Sequence, residues 1–163
     1  YGRNPYPGYD DVTSAPFLFE GEVDGRYTAM TRVVGVAVGD DAVALPLGDL
    51  RDQRVIPFET ETGPLVAWWV PGTASALDAG DVAAGADVGS TGVFVPSAGG
   101  RALTFTAADA GFVDDQTESA WNVLGHATAG PLAGSRLDLV AHVDTFWFAW
   151  STFRADTIVE TGA

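Results

Sequence analysis

The residues of this chain that could do chemistry are few, and their spacing limits what they could do. In the stretch HVDTFWFAWSTFRADT, His142 and Asp144 stand two apart, a spacing that puts both side chains on one face of a strand. His126 is the other histidine, and two imidazoles with one carboxylate form a recognised transition-metal set. The same residues also have plain structural uses. Asp144 is an N-cap residue type at the head of an aromatic run, and an Asp there accepts backbone N–H groups two or three residues on. His142 ends a β-type run, where its ring would bond a backbone carbonyl. We expect these structural roles, and keep a metal-binding protein or an enzyme using His126, His142 and Asp144 as the rival.

Asp114 and Asp115, followed by Thr117, Glu118 and Ser119, gather oxygen atoms that suit Ca²⁺. They lack the twelve-residue spacing, the glycine and the terminal bidentate Glu of an EF-hand. An Asx-type turn that closes a hairpin before Trp121 enters the core is expected in preference to a structural calcium ion. No serine lies in a G-x-S-x-G elbow. Ser75 in TASALD is the best-placed nucleophile, but a helix cap at Thr73 or Ser75 is the role expected. SAGGR lacks the lysine and the strand-to-helix setting of a phosphate loop, and reads as a hairpin turn. No catalytic residue is assigned and no cofactor is expected.

Composition narrows the classes further. The 163 residues include 22 acidic and eight basic side chains, for a net charge of −14, and every basic residue is Arg. Asp outnumbers Glu sixteen to six. A surface of short, strongly hydrated carboxylates without lysine suits a high-salt medium, where counterions screen self-repulsion. The same charge argues against nucleic acid, which needs clustered Lys and Arg. Cysteine is absent, so disulfides and thiolate chemistry are excluded. No apolar run approaches the roughly 18 residues that span a bilayer, so direct membrane insertion of this chain is not expected. Tyr1 is not a translation start, which leads us to expect the processed part of an exported or anchored precursor, outside the cytoplasm or at the cell surface.

These residues must be positioned by a largely β framework. Short apolar runs such as AVALPL, RVIPFE, PLVAWWV, TGVFV and RLDLVAHV alternate with Gly, Asp and Pro punctuation, the pattern of an antiparallel sandwich or partly open barrel. One or two short helices interrupt it. GTASALDAGDVAAG is Ala-rich, and from Asp144 onwards Phe146, Trp150 and Phe153 recur at i, i+4 and i+7, with Trp147 beside them. We expect that stripe to be buried against a sheet. Residues 1–16, rich in Tyr, Pro and Gly, read as an extended arm, and 17–163 as a single β-rich domain. The arm's tyrosines suit packing on this chain or on a neighbour, so protein partners or self-association are expected through it.

The run DDQTESAWNVLGHATAGPLAGSRLDLV, from Asp114 to Val140, resembles the domain of unknown function 3179 family. A D-x-x-T-x-S-x-W segment is matched by Asp114, Thr117, Ser119 and Trp121. A G-x-A-x-x-G-P-L-A-G segment is matched by Gly125, Ala127 and Gly130 to Gly134. Trp147 or Trp150 and then Asp156 with Thr157 match the Trp-rich helix and H-P-D-T ending. Upstream, VVGVAVGDDAVALPLGDL is similar to the family's A-x-x-P-L hairpin, so the resemblance runs from about Arg32 to Val159. Where members carry C-P-x-C-G-S-A, this chain has Val70, Pro71, Gly72, Thr73, Ala74, Ser75 and Ala76: the serine stands and both cysteines are replaced. The family's W-H-E segment is replaced by GDLRDQRVIP. The resemblance therefore implies the fold and not any thiol or metal chemistry of the family. The expected protein is a cysteine-free, halophilic, non-catalytic binding, structural or assembly module.

Overall fold

The computed structural model describes residues 2–162, and the chain is a mainly β, single sandwich-like domain with two short α-helices. Its apolar runs become β1 (Arg32–Val38), β2 (Asp41–Pro46), β3 (Val55–Thr60), β4 (Gly63–Val70) and β5 (Ser90–Val95). A small hairpin of β6 (Ser97–Ala98) and β7 (Arg101–Ala102) follows, then β8 (Phe105–Ala108), β9 (Gly111–Asp114), β10 (Ala120–Trp121) and β11 (Ala127–Ala129). The chain closes with β12 (Asp138–Leu139), β13 (His142–Phe146) and β14 (Ile158–Val159). Helix α1 spans Leu47–Gln53 and α2 spans Trp147–Phe153.

Three four-stranded sheets result, ordered β13-β1-β2-β14, β12-β5-β4-β3 and β11-β10-β9-β8. Among the described residues all strand pairings are antiparallel except the short β14 beside β2. Among the described residues no sheet closes into a barrel, and the layered sheets are consistent with the expected sandwich. The sheets are stacked through their side chains. Val34, Val36, Val43 and Leu45 of the first sheet meet Ile56, Leu65, Ala67 and Trp69 of the second. The opposite face of the second, Val66, Trp68 and Phe94, meets Phe112 and Trp121 of the third. The middle sheet is thus buried on both faces, which is why PLVAWWV is an unbroken apolar run instead of an alternating one.

The outer face of the first sheet is covered by α2, with Val33, Ala42 and Ala44 against Trp147 and Trp150. Close contact here depends on Gly35 in β1, where an added Cβ would lie 2.3 Å from the Trp150 ring. SAGGR is the hairpin turn expected, Gly99 and Gly100 both adopting positive φ between β6 and β7, as a tight two-residue turn requires.

Three local expectations are corrected. Asp144 does not cap α2: it lies within β13, opposite Val34 of β1, and the N-cap position is Phe146 with no side-chain cap. Pairing with β1 keeps the chain extended through Phe146, and the first helical N–H groups, of Trp147 and Phe148, instead donate to the carbonyls of Thr31 and Ala29. The buried stripe of α2 is correspondingly Trp147, Trp150 and Ser151, while Phe153 is 83% exposed.

The Ala-rich 72–85 region forms only a 3-10 turn, Val82–Ala84, capped by Asp81 and not by Thr73 or Ser75. Asp78, Asp81 and Asp87 each bond nearby backbone N–H groups, which offers the backbone a turn in place of a helix. Helix α1 occupies the GDLRDQ segment, where no helix was expected. Its signals are Pro46 ahead of it, Asp49 in the first turn, Arg51 in the last, and Arg54 in the left-handed C-cap position, with Leu50 fully buried.

Candidate functional site

The two histidines are held by different elements. His142 is in β13 opposite Val36 of β1, and its Nδ1 lies 2.9 Å from the Val140 carbonyl. A carbonyl only accepts, so Nδ1 carries the hydrogen. His126 precedes β11 and bridges Arg136, its backbone N–H donating to Asn122 Oδ1. Asp144 accepts from Thr91 Oγ1 at 3.0 Å, tying β13 to β5. Among the described residues no group of three His, Cys, Asp or Glu side chains gathers where a metal ion could sit. His142 and Asp144 in β13, His126 ahead of β11, and Asp114, Asp115 and Glu118 at the end of β9 and in the turn after it are therefore not gathered at one point.

Asp114, Thr117, Ser119 and Trp121 do converge, on a structural task. Asp114 is fully buried at the end of β9. Its carboxylate accepts from the Thr117 N–H and hydroxyl, the Ser119 N–H and, at 2.9 Å, Trp121 Nε1–H. Burial pushes this carboxyl up, but the bonds from Trp121, Thr117 and Ser119 outweigh it and hold the group below the usual Asp value, since they favour the charged form. Ser119 Oγ in turn accepts from Leu132 N–H at 3.0 Å, and an added Cβ at Gly130 would lie 2.7 Å from Ser119 Cα. The D-x-x-T-x-S-x-W segment is thus locked to the G-P-L-A-G segment. Asp115 points to other partners, the hydroxyls of Thr104 and Thr106, and Glu118 is an exposed residue at φ 58°. With four donor groups on Asp114, the turn reading of this segment is the one its geometry bears.

The arm and the cysteine-replaced loop form the remaining constellation. The arm lies along its own chain: Asn4, Gly8 and Tyr9 N–H groups donate to the carbonyls of Gly80, Asp78 and Leu77, and Val82 N–H returns a bond to Gly2. Tyr9 packs edge-on against Phe146 with ring centroids 6.1 Å apart. This places Asp10 over Ser75. Ser75 Oγ–H donates to Asp10 Oδ2 at 2.5 Å, Arg32 Nη2 reaches Ser75 Oγ at 3.3 Å and Asp10 at 3.5 Å, and the Arg32 guanidinium lies over the Phe146 ring. Ser75 is 1% exposed. Its hydroxyl is a covered structural group that donates to Asp10 and accepts from the Leu77 N–H and Arg32, in a turn and not at a helix start.

The loop that carries Val70, Pro71, Thr73 and Ser75 is pinned from outside by Asp87, whose carboxylate accepts from the N–H groups of Gly72, Thr73 and Gly89. The Gly72 bond foremost, aided by the other two, holds this carboxyl below the usual Asp range. Thr73 pairs its hydroxyl with Ser90 at 2.8 Å. Beside this loop a cleft of about 330 Å³ opens, floored by Met30, Leu47 and Trp69 and rimmed by Asp10, Arg32, Arg51 and Asp87. No motif marked it, because its walls come from the arm, β1, α1, β4 and the loop before β5. Trp69 and the two arginines were in view as composition only; what brings them together is tertiary.

A family model described as a protein of unknown function, DUF3179, matches residues 1–157. The match takes in the arm as well as the stretch from Arg32 onwards where the motifs lie. No curated protein and no solved structure matches the chain.

Proposed function

The chain belongs to the DUF3179 family, and from that premise we propose that it is a non-catalytic binding domain of a halophile, working outside the cytoplasm or at the cell surface. The observation that carries the reading is the fate of the one well-placed nucleophile. Ser75 is buried beneath the arm with its hydroxyl hydrogen-bonded to Asp10, and Val70 and Thr73 stand where the family pattern has cysteines. Neither histidine is a hydrogen-bond partner of Ser75: the Nδ1–H of His142 is committed to a backbone carbonyl, and His126 lies beside Arg136 in another sheet region. What this end of the molecule offers instead is a cleft with an apolar floor and an ionic rim, of a size at the lower end of small-molecule sites. The charge of −14 with no lysine supports the saline setting.

The test is a ligand and activity screen on the full chain in molar KCl. The expected result is saturable, thermally stabilising binding that the cleft variant Trp69→Phe or Arg51→Gln alters, with no turnover of esters or amides above background. Turnover abolished by Ser75→Ala or His142→Ala would overturn the reading.

A further inference from the structure

Resting on that reading, we propose that the cleft beside Trp69 takes a small carboxylate with an apolar body. Two of the eight arginines of this strongly acidic chain, Arg32 and Arg51, line this one cleft. The carboxylates on the same rim are already compensated. Asp10 is held by Ser75 and Arg32, and Asp87 by three backbone N–H groups. The cations are less fully used. Among the described residues Arg32 Nε is buried with no hydrogen-bond partner, and Arg51 has an exposed pairing through Nε with its neighbour Asp52, a kind of contact that contributes little. The donor capacity left open to a ligand on the rim is therefore that of the Arg51 guanidinium, with Arg32 behind it holding Asp10.

Guanidinium groups match carboxylates in a planar, two-pronged fashion, and this chain shows the pairing in Arg26, whose Nε donates to Oδ1 and Nη2 to Oδ2 of Asp24. Below the rim, Met30 and Leu47 with the flank of Trp69 suit a compact apolar body. The overall negative charge does not forbid an anion here. In molar salt the Debye length falls to about 3 Å, so groups in contact with the ligand decide binding and the distant carboxylates do not.

Phenylacetate and hexanoate, each beside its neutral amide, are the probes, titrated into the full chain in molar KCl. Binding is followed by calorimetry and by the indole N–H signal of Trp69, which donates to Val88 at the cleft wall. The acids are expected to bind and move that signal, and Arg51→Gln, a change at an exposed residue, to weaken them about tenfold without moving the melting temperature. Arg51→Lys should restore part of the affinity. If the amides bind as well as the acids, or Arg51→Gln has no effect on the acids, the carboxylate assignment is overturned while a binding cleft stands. If neither acid nor amide moves Trp69, the assignment and the binding reading at this cleft both fall.

Discussion

The indole N–H of Trp121 donates a 2.9 Å hydrogen bond to Oδ2 of Asp114, seven residues earlier, with both residues buried. One bond thus joins the end of β9 to β10 and seats the tryptophan in the core between the second and third sheets. Because the partners are buried, losing either leaves a desolvated group unmatched, which costs more than the bond contributes.

Asp114→Asn is expected to lower stability by about 3 kcal/mol. Trp121→Phe, measured with it and with the double variant, should show a coupling between the two sites in a denaturant-unfolding cycle. Strict additivity would mean that the bond does not matter. The lowered carboxyl of Asp114 also sets a pH dependence. A group whose folded pKa lies below its unfolded value adds stability that is complete above the unfolded value of about 3.9, and that is lost as pH falls through the folded one. The wild-type chain should therefore lose stability more steeply than Asp114→Asn below about pH 4.

A second prediction concerns salt. With −14 charges and no lysine, self-repulsion destabilises the compact chain in dilute buffer and fades as ions are added. The melting temperature should climb steeply from dilute to molar KCl or NaCl. A flat profile would remove the ground for a saline habitat.

The helix gives a third. Trp147 is fully buried and its Nε1–H donates to the Asp24 carbonyl at 2.8 Å, so Trp147→Ala should cost roughly 3–5 kcal/mol. Asp144, being a strand residue with one exposed hydroxyl partner, should behave differently from a helix cap. Asp144→Ala is expected to cost no more than about 0.5 kcal/mol, the range of surface changes. A loss near the 1 kcal/mol typical of a cap, read from urea unfolding, would contradict the placement of the helix start at Phe146.

Gly35 supplies a fourth. Its missing side chain is filled by the Trp150 ring, whose Nε1–H is anchored 2.9 Å from Thr157 Oγ1. Gly35→Ala forces that ring away and should destabilise by about 1–3 kcal/mol through overpacking, in spite of the better strand propensity of Ala. Thermal unfolding checks it, and a stabilised variant would show that the ring has room to move.

A fifth concerns the arm. Its backbone bonds to 77–82 and the Asp10 contacts with Ser75 and Arg32 lie outside the stacked cores. Removing the residues up to Tyr9 should lower the melting temperature and leave the β-type far-UV spectrum intact. An unchanged melting curve would mark the arm as a passive tail.

The sequence by itself determined what depends on neighbours along the chain. Apolar runs between Gly and Asp turns become strands because burial and turn geometry are set within a few residues, so AVALPL and PLVAWWV form β2 and β4. The turn at Asp114 was legible for the same reason, its acceptors and donors lying within seven residues. The motifs placed the family, and composition excluded thiol chemistry. Tertiary structure alone decided where pairing overrides local preference. β1 holds Asp144 extended and delays the helix to Trp147, although Asp144 is a good cap by type. Distant contacts likewise bury Ser75 under Asp10, sixty-five residues away, and leave Phe153 in solvent. The cleft walls of Arg32, Arg51 and Trp69 are brought together only by sheet stacking. Such sites rest on long-range register and layer order, which no local window of residues contains.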